Sequence, residues 1–226
     1  MGDTSAHAHR SNRSLRQKYQ WVSCFYDVLD YPWELQYRKW RPSILNDIRG
    51  DVVEVGVGTG NNLNHYHPSV HVKAVDISQN MLNMARRKSR NAACQIEYIC
   101  DDACHLNHIE TSSCDWLLST FLCCVMPDEL QPLAIAQFGR VLRPGGRFRI
   151  LEIVYSRDPG LRRRQRRLAW LVEKIYGARF DRNTLAYLKT DAGLLISDVK
   201  FLKDDTYMLI EGVKIDAGQQ AGRNLR

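Results

Sequence analysis

Residues 51–66 read DVVEVGVGTGNNLNHY, an apolar run that meets glycines at alternate positions, Gly56, Gly58 and Gly60. Bare backbone straight after a strand is how a chain comes close to a nucleotide-like ligand. The spacing is Gly-x-Gly-x-Gly with an acid, Glu54, two residues ahead, not the dinucleotide pattern G-x-G-x-x-G. A carboxylate at that point would repel a pyrophosphate but suits a ligand with a cationic or hydrogen-bond-donating part.

Strands are expected at Val52–Gly56, His71–Val75, Gln95–Cys100, Cys114–Ser119, Arg147–Val154, Leu195–Leu202 and Thr206–Val213. Helical spacing of apolar residues lies between most of them, at Gln79–Lys88, Asp128–Leu142, Leu161–Tyr176 and Asn183–Ala192 with Gly193 as C-cap. Two further helical segments precede the sheet. Ser14–Asp30 has Leu15, Tyr19, Val22, Phe25, Tyr26 and Leu29 on one face, and Trp33–Leu45 is rich in Trp and Tyr and ends near Pro42. Strands alternating with helices predict an α/β, Rossmann-like, doubly wound sheet of seven strands, mainly parallel. Only Lys203–Asp205 separates the last two strands, too short for a crossover, so they predict an antiparallel hairpin. The domain is expected over 14–215, with a helical lid at 14–45, a helical insertion near the acceptor site at 160–192, and loose polar tails at 1–13 and 216–226.

The chain has 226 residues, enough for one well-buried α/β domain, and its hydrophobic content of 44% is ordinary. No apolar run approaches the roughly 20 residues that span a bilayer. The first residues, MGDTSAHAHRSNRSLRQ, lack a hydrophobic signal core and miss the myristoylation pattern at Ala6. Seven cysteines is an odd count. Cys100, Cys114, Cys123 and Cys124 sit in apolar runs, as free thiols in a reducing, cytoplasmic compartment would. Cys100, Cys104, His105 and Cys114 match no usual zinc spacing, so no metal is expected. The net charge of +7 favours anionic company, and GLRRRQRRL (160–168) alone carries five arginines. That helix either lies on an anionic membrane surface or packs on the domain with a solvated face. Aromatics are not interleaved with its arginines and no RNA-binding motif occurs, so no nucleic-acid partner is expected.

S-adenosylmethionine, with its ammonium, sulfonium and ribose hydroxyls, is a ligand of the kind Glu54 suits. Four more signals follow in order. Asp76 ends the second strand in AVDIS, where a carboxylate can accept both ribose hydroxyls, and Asp102 follows the third in YICDDACHL, placed for the adenine amino group. LSTFLCCVMPDEL comes after the fourth strand, and RVLRPGGRF precedes the fifth. Over roughly Tyr19–Lys214 the chain resembles class I S-adenosylmethionine-dependent methyltransferases, whose final hairpin inserts one antiparallel strand. That resemblance implies that Glu54, Gly56, Gly58 and Gly60 cradle the methionine part, Asp76 holds the ribose, and Asp102 with Ala103 meets the adenine. It adds Asn61, Ile77, Met81 and Thr120 to the cofactor contacts.

No NPPY- or DPPY-type motif follows the fourth strand; Thr120, Phe121, Leu122 and Cys123 are small or apolar and suit a greasy acceptor. Two subgroups look similar. Ubiquinone/menaquinone C-methyltransferases share Tyr26-Asp27 and RVLRPGG, though the Asp-x-x-Gly-Gly-Thr-Gly loop and the Arg-Asn after strand four are missing. Bacterial-type phospholipid N-methyltransferases share VGVGTG with a following Leu and Tyr, Asp76–Leu82, Met126-Pro127-Asp128 and the basic Gly160–Arg163 segment. By resemblance, Tyr19 and Tyr26 are the catalytic candidates, and Phe121, Leu122, Cys123 and Arg162 line the acceptor site. The expected acceptor is the amino headgroup of phosphatidylethanolamine, with a quinone-like molecule as alternative. A fold that keeps the cofactor contacts without chemistry, an inactive binding scaffold, is the reading of another class.

Overall fold

The computed structural model describes residues 37, 39–191 and 193–215. Seven strands run in the order β3-β2-β1-β4-β5-β7-β6. They are β1 (Asp51–Val55), β2 (His71–Asp76), β3 (Gln95–Cys100), β4 (Cys114–Thr120), β5 (Leu142–Ile153), β6 (Leu194–Leu202) and β7 (Tyr207–Lys214). The helices are α1 (Arg41–Leu45), α2 (Gln79–Lys88), α3 (Gln131–Val141), α4 (Pro159–Tyr176) and α5 (Thr184–Thr190). The described residues form two compact units, divided between His108 and Ile109.

In the first unit β1, β2 and β3 pair in parallel, with Glu54 opposite Ala74 and Asp76 opposite Cys100. Val52, Val53, Val55, Val72, Ala74 and Val75 are buried, a continuous apolar run of the kind parallel strands show. α2 starts where Ser78 Oγ accepts from the Met81 amide, and it buries Met81, Leu82 and Ala85. After the glycine turn the chain makes a single 3-10 turn, Leu63–His65. The linker is Asn-rich and runs into Pro68, so it has neither the residues nor the propensity for a longer helix. Pro42, expected to close a helix, instead sits in the first turn of α1, where its missing N–H is no loss.

In the second unit β4 and β5 are parallel, and β7 runs antiparallel to both β5 and β6. The expected insertion of one antiparallel strand is therefore present. Lys203, Asp204 and Asp205 turn the hairpin, all with φ between 38° and 58°. Arg143-Pro144-Gly145-Gly146 was expected as a turn ahead of the fifth strand. It is a bulge inside that strand: β4 advances from Cys114 to Trp116 while β5 advances from Leu142 to Arg147. The helix expected over Asp128–Leu142 begins as a 3-10 turn, Asp128–Leu130, because Pro132 fixes the first α turn after it. α5 stops at Thr190, short of Gly193; Asp191 caps it, and its Oδ1 accepts from the Gly193 amide at 2.8 Å.

Six described cysteines are free, five of them buried. Among the described residues no helix is long and apolar enough to cross a membrane.

Candidate active site

Two carboxylates of the first unit stand at or just past the C-terminal ends of adjacent parallel strands, where ligands of open α/β sheets bind. Asp76 ends β2, and the Asp101 amide, one residue past β3, donates to the Asp76 carbonyl at 3.1 Å, which brings Asp102 to the same edge. Glu54 lies inside β1. The loop after β1 is tied to the second strand: the amides of Gly56 and Val57 donate to the Val75 carbonyl at 2.8 and 3.0 Å. Gly58 N–H donates to Asp76 Oδ2 at 2.9 Å, and Ser78 N–H donates to Asp76 Oδ1 at 2.9 Å. Burial pushes the Asp76 carboxyl up to about 6, against the pull of those two amides. Each oxygen keeps a second lone pair, so two hydroxyl donors can still be accepted.

The loop glycines divide the labour. Gly60 has φ +81°, and a Cβ there would lie 2.9 Å from both Cα and Cβ of Ala85, so its bare backbone lets the loop seat on α2. Gly58 has φ +55°, and a Cβ there would meet nothing within 4 Å. Its open side is room for a ligand beside Asp76. Asn61, expected at the cofactor, accepts from Lys88 Nζ at 2.5 Å, and Thr59 accepts from the same ammonium at 2.9 Å.

Glu54 is 1% exposed and accepts from Asn62 Nδ2 at 2.7 Å and Tyr66 OH at 2.8 Å. Arg41, buried on α1, donates to Asn62 Oδ1. Burial raises the Glu54 carboxyl to about 7, while Asn62, Tyr66 and Arg41 draw it down. The acid that the motif assigns to the methionine part is thus a strut under the loop. Met81 is 2% exposed and packs inward, while Ile77 is half-buried and its carbonyl accepts from Cys100 Sγ.

Past β3 the paired acids separate. Asp101 turns inward, accepting from the Asp102 amide at 2.7 Å and from the amide and Nδ1 of His108 at 2.8 and 2.9 Å. Asp102 is half-buried, accepts from the Cys104 amide at 2.9 Å and meets His105 Nδ1 at 3.2 Å. Ala103 beside it is 8% exposed. An S-adenosylmethionine molecule offers donors at its ammonium, ribose and adenine amino group. Asp76 and Asp102 supply partly accessible acceptors for them, and Gly58 supplies room, so these residues fit it.

The second unit holds the residues expected at the acceptor. Thr120 ends β4 and is half-buried; Phe121 follows with φ 60°, its amide donating to the Leu151 carbonyl at 2.8 Å and its ring edge-on to Tyr207. Leu122 is half-buried. Cys123 is 0% exposed, so it does not line the acceptor site as expected. The cause is Glu152, whose two oxygens accept from the amides of Cys123 and Cys124, each at 2.8 Å, and draw that turn into the interior. Burial lifts the Glu152 carboxyl to about 7 against those bonds. Glu152 sits at the eleventh position of β5; an acid between Leu151 and Ile153 was the only sequence signal for it. Arg162 is exposed, its guanidinium 5.7 Å from the centre of the Tyr155 ring. Tyr19 and Tyr26 lie outside the described residues.

Residues 52–146 match the family described as a methyltransferase domain. The chain is 26% identical over 160 residues to the ubiquinone/menaquinone biosynthesis C-methyltransferase of Syntrophotalea carbinolica, covering 67% of this chain and 66% of that one. Residues 52–146 are thus a methyltransferase domain. It spans just under two thirds of that curated relative's length. Among solved structures, an S-adenosylmethionine-dependent methyltransferase from Methanosarcina mazei has the same fold with a TM-score of 0.57 at 20% identity, over 73% of this chain and 92% of that one. Geranyl diphosphate C-methyltransferase from Streptomyces coelicolor gives 0.63 at 11% identity, over 80% and 76%. Within this methyltransferase domain the matched span runs from β1 to the bulge in β5 and includes every residue of the loop described above.

Proposed function

We propose that the methyltransferase domain acts on a small amphiphilic lipid and that its acceptor is the amino nitrogen of phosphatidylethanolamine. The observation that carries this is the turn after β4: Thr120, Phe121 and Leu122 are small or apolar and partly accessible, while Glu152, the nearest acid along β5, is withdrawn into bracing the backbone. An uncharged, greasy turn suits an acceptor that arrives with acyl chains and a headgroup of modest size. The kinship of the 76–82 and 160–163 segments with phospholipid N-methyltransferases supports the same reading.

When bound, S-adenosylmethionine would supply a methyl carbon activated by its sulfonium, open to in-line attack by the acceptor's lone pair as the C–S bond breaks and S-adenosylhomocysteine leaves. The chain therefore has chiefly to hold, align and keep water out, effects that can supply roughly 7–11 kcal/mol. Asp76 and Asp102 hold through charge-assisted hydrogen bonds, and the Gly56–Gly60 loop positions backbone beside them. The headgroup ammonium would first give one proton to solvent to free its lone pair, and the nitrogen would then leave as a methylated ammonium; Glu54 and Glu152, both engaged in bracing loops, take neither part.

The relative from Syntrophotalea carbinolica favours a second reading, C-methylation of a quinone-like ring. Incubation with methyl-labelled S-adenosylmethionine and a total lipid extract, followed by chromatography and mass analysis, separates the two. Label in a phospholipid one methyl heavier than phosphatidylethanolamine is the expected outcome. Label in the isoprenoid quinone fraction establishes the second reading, and label in neither overturns both.

A further inference from the structure

α4 is unusual in the second unit: eighteen residues long, it has no fully buried residue. It is held from one side. Gln165 Nε2 donates to the Val154 carbonyl at 3.0 Å, and Gln165 Oε1 accepts from the Ser156 amide at 2.8 Å. Leu161, Gln165, Ala169, Val172, Ile175 and Tyr176 are half-buried along that line, whereas Leu168, Trp170 and Leu171 are 55%, 63% and 37% exposed. The apolar residues Leu161, Leu168, Leu171, Val172 and Ile175 thus form one stripe that straddles the edge between the half-buried and the exposed side.

At about 100° per residue, the exposed side chains of Trp170, Arg163, Lys174, Arg167, Leu171, Arg164 and Leu168 fall on an outward arc of about 160°, in which the half-buried Ile175 lies between Arg164 and Leu168. That arc carries four cations, one Trp, two Leu and no acid; the helix's one acid, Glu173, lies on the far flank with Arg162 and Arg166. Those two arginines are spoken for, with guanidiniums 5.7 and 5.9 Å from the Tyr155 ring centre.

The charge does not serve the helix. Five arginines in its N-terminal half oppose the helix dipole, and the pairs 162/166 and 163/167 place like charges four residues apart, both unfavourable. A mixed face of Trp, Leu and Arg/Lys is the composition that lies in the headgroup layer of an anionic bilayer, rings at the interface and cations on lipid phosphates.

We infer that the outward arc of α4 is a docking face for an anionic membrane surface, entered by Trp170, Leu168 and Leu171 and held by Arg163, Arg164, Arg167 and Lys174. This deepens the reading of a lipid acceptor, since it names where the protein meets the bilayer that carries it. The face is directional: cations on the arc count, and those stacked on Tyr155 count much less.

The test is co-sedimentation with vesicles of phosphatidylcholine alone or with phosphatidylglycerol, using matched pairs. The parent protein should bind anionic vesicles at low salt at least about tenfold better than neutral ones, and lose binding as salt rises. R163Q/R167Q should weaken it about tenfold, R162Q/R166Q no more than about threefold, and W170A should weaken it and remove a blue shift of tryptophan emission on binding. Calorimetric binding of S-adenosylmethionine checks that each variant is folded. Equal losses from the two arginine pairs overturn the oriented face, and so does a parent protein that stays in the supernatant or binds random RNA more tightly than anionic vesicles. Methylation of a short-chain phosphatidylethanolamine in micelles distinguishes the failures. If it persists without vesicle binding, only the docking face falls; vesicle binding without lipid methylation overturns only the acceptor reading.

Discussion

Two loops leave the ends of parallel strands, one after β1 and one after β4, and each is braced by a buried carboxylate that burial pushes up to about 7. They are braced differently. Glu54 works through side chains of its own neighbourhood, Asn62 and Tyr66, eight and twelve residues on. Glu152 takes two backbone amides directly, from Cys123 and Cys124, 29 and 28 residues back. The brace of the first loop is therefore written in one short stretch of sequence, from Glu54 to Tyr66. The second is assembled by the sheet from two distant strands, and no local pattern announces it.

The largest effect that sharpens this contrast is on the ligand side of the first loop. With Asp76 proposed to accept two ligand hydroxyls, Asp76→Ala, which also unties Gly58, should lower S-adenosylmethionine affinity by about two to four orders of magnitude, each charge-assisted bond being worth about 1.5–3 kcal/mol. Calorimetric titration reads this. Unchanged affinity would show that the first loop's ties serve structure alone.

Glu152→Ala should show its effect in stability instead. It orphans two buried amides at about 1–3 kcal/mol each, so unfolding free energy should drop by about 2–6 kcal/mol in denaturant titration. A loss below about 1 kcal/mol would mean that the turn after β4 is held by something other than Glu152.

The two carboxylates should also govern the pH dependence. Their native-state acidity lies near 7 against 4.5 for an ordinary Glu. The native state thus keeps protons that the unfolded chain releases. Their stabilising contribution is complete below pH 4.5 and is lost as pH rises through 7, by about 3 kcal/mol for each group. Glu54→Gln and Glu152→Gln should each flatten the fall in melting temperature between pH 5 and 7.5. A slope that steepens or stays the same in both variants contradicts the burial of these groups as acids.

How much of this was legible follows the same division. The parallel strands, the terminal hairpin and the loop glycines were legible because periodicity, a three-residue connection and glycine spacing are local. The inward turn of Glu54, the burial of Cys123 and the outward face of α4 were not. Each depends on a partner that only the folded chain supplies: Asn62 with Tyr66, Glu152, and the Gln165 anchor to the Val154 carbonyl.

The smallest effects separate the glycines. Gly60→Ala, meeting Ala85 at 2.9 Å, should cost about 2–4 kcal/mol of stability from strain and overpacking together. Gly58→Ala, with open space around its Cβ, should cost only about 1–2 kcal/mol of stability but weaken S-adenosylmethionine binding as well. Thermal melts with and without S-adenosylmethionine compare them, and a reversed ranking would move the ligand side of the loop from Gly58 to Gly60.

We propose that the loop after β1, with Asp76 and Asp102, holds S-adenosylmethionine. Isothermal titration of the unaltered protein with S-adenosylmethionine should show saturable binding at one site per chain, competed by S-adenosylhomocysteine and lost in Asp76→Ala. Absence of binding heat, together with no rise in melting temperature at millimolar S-adenosylmethionine, would contradict it.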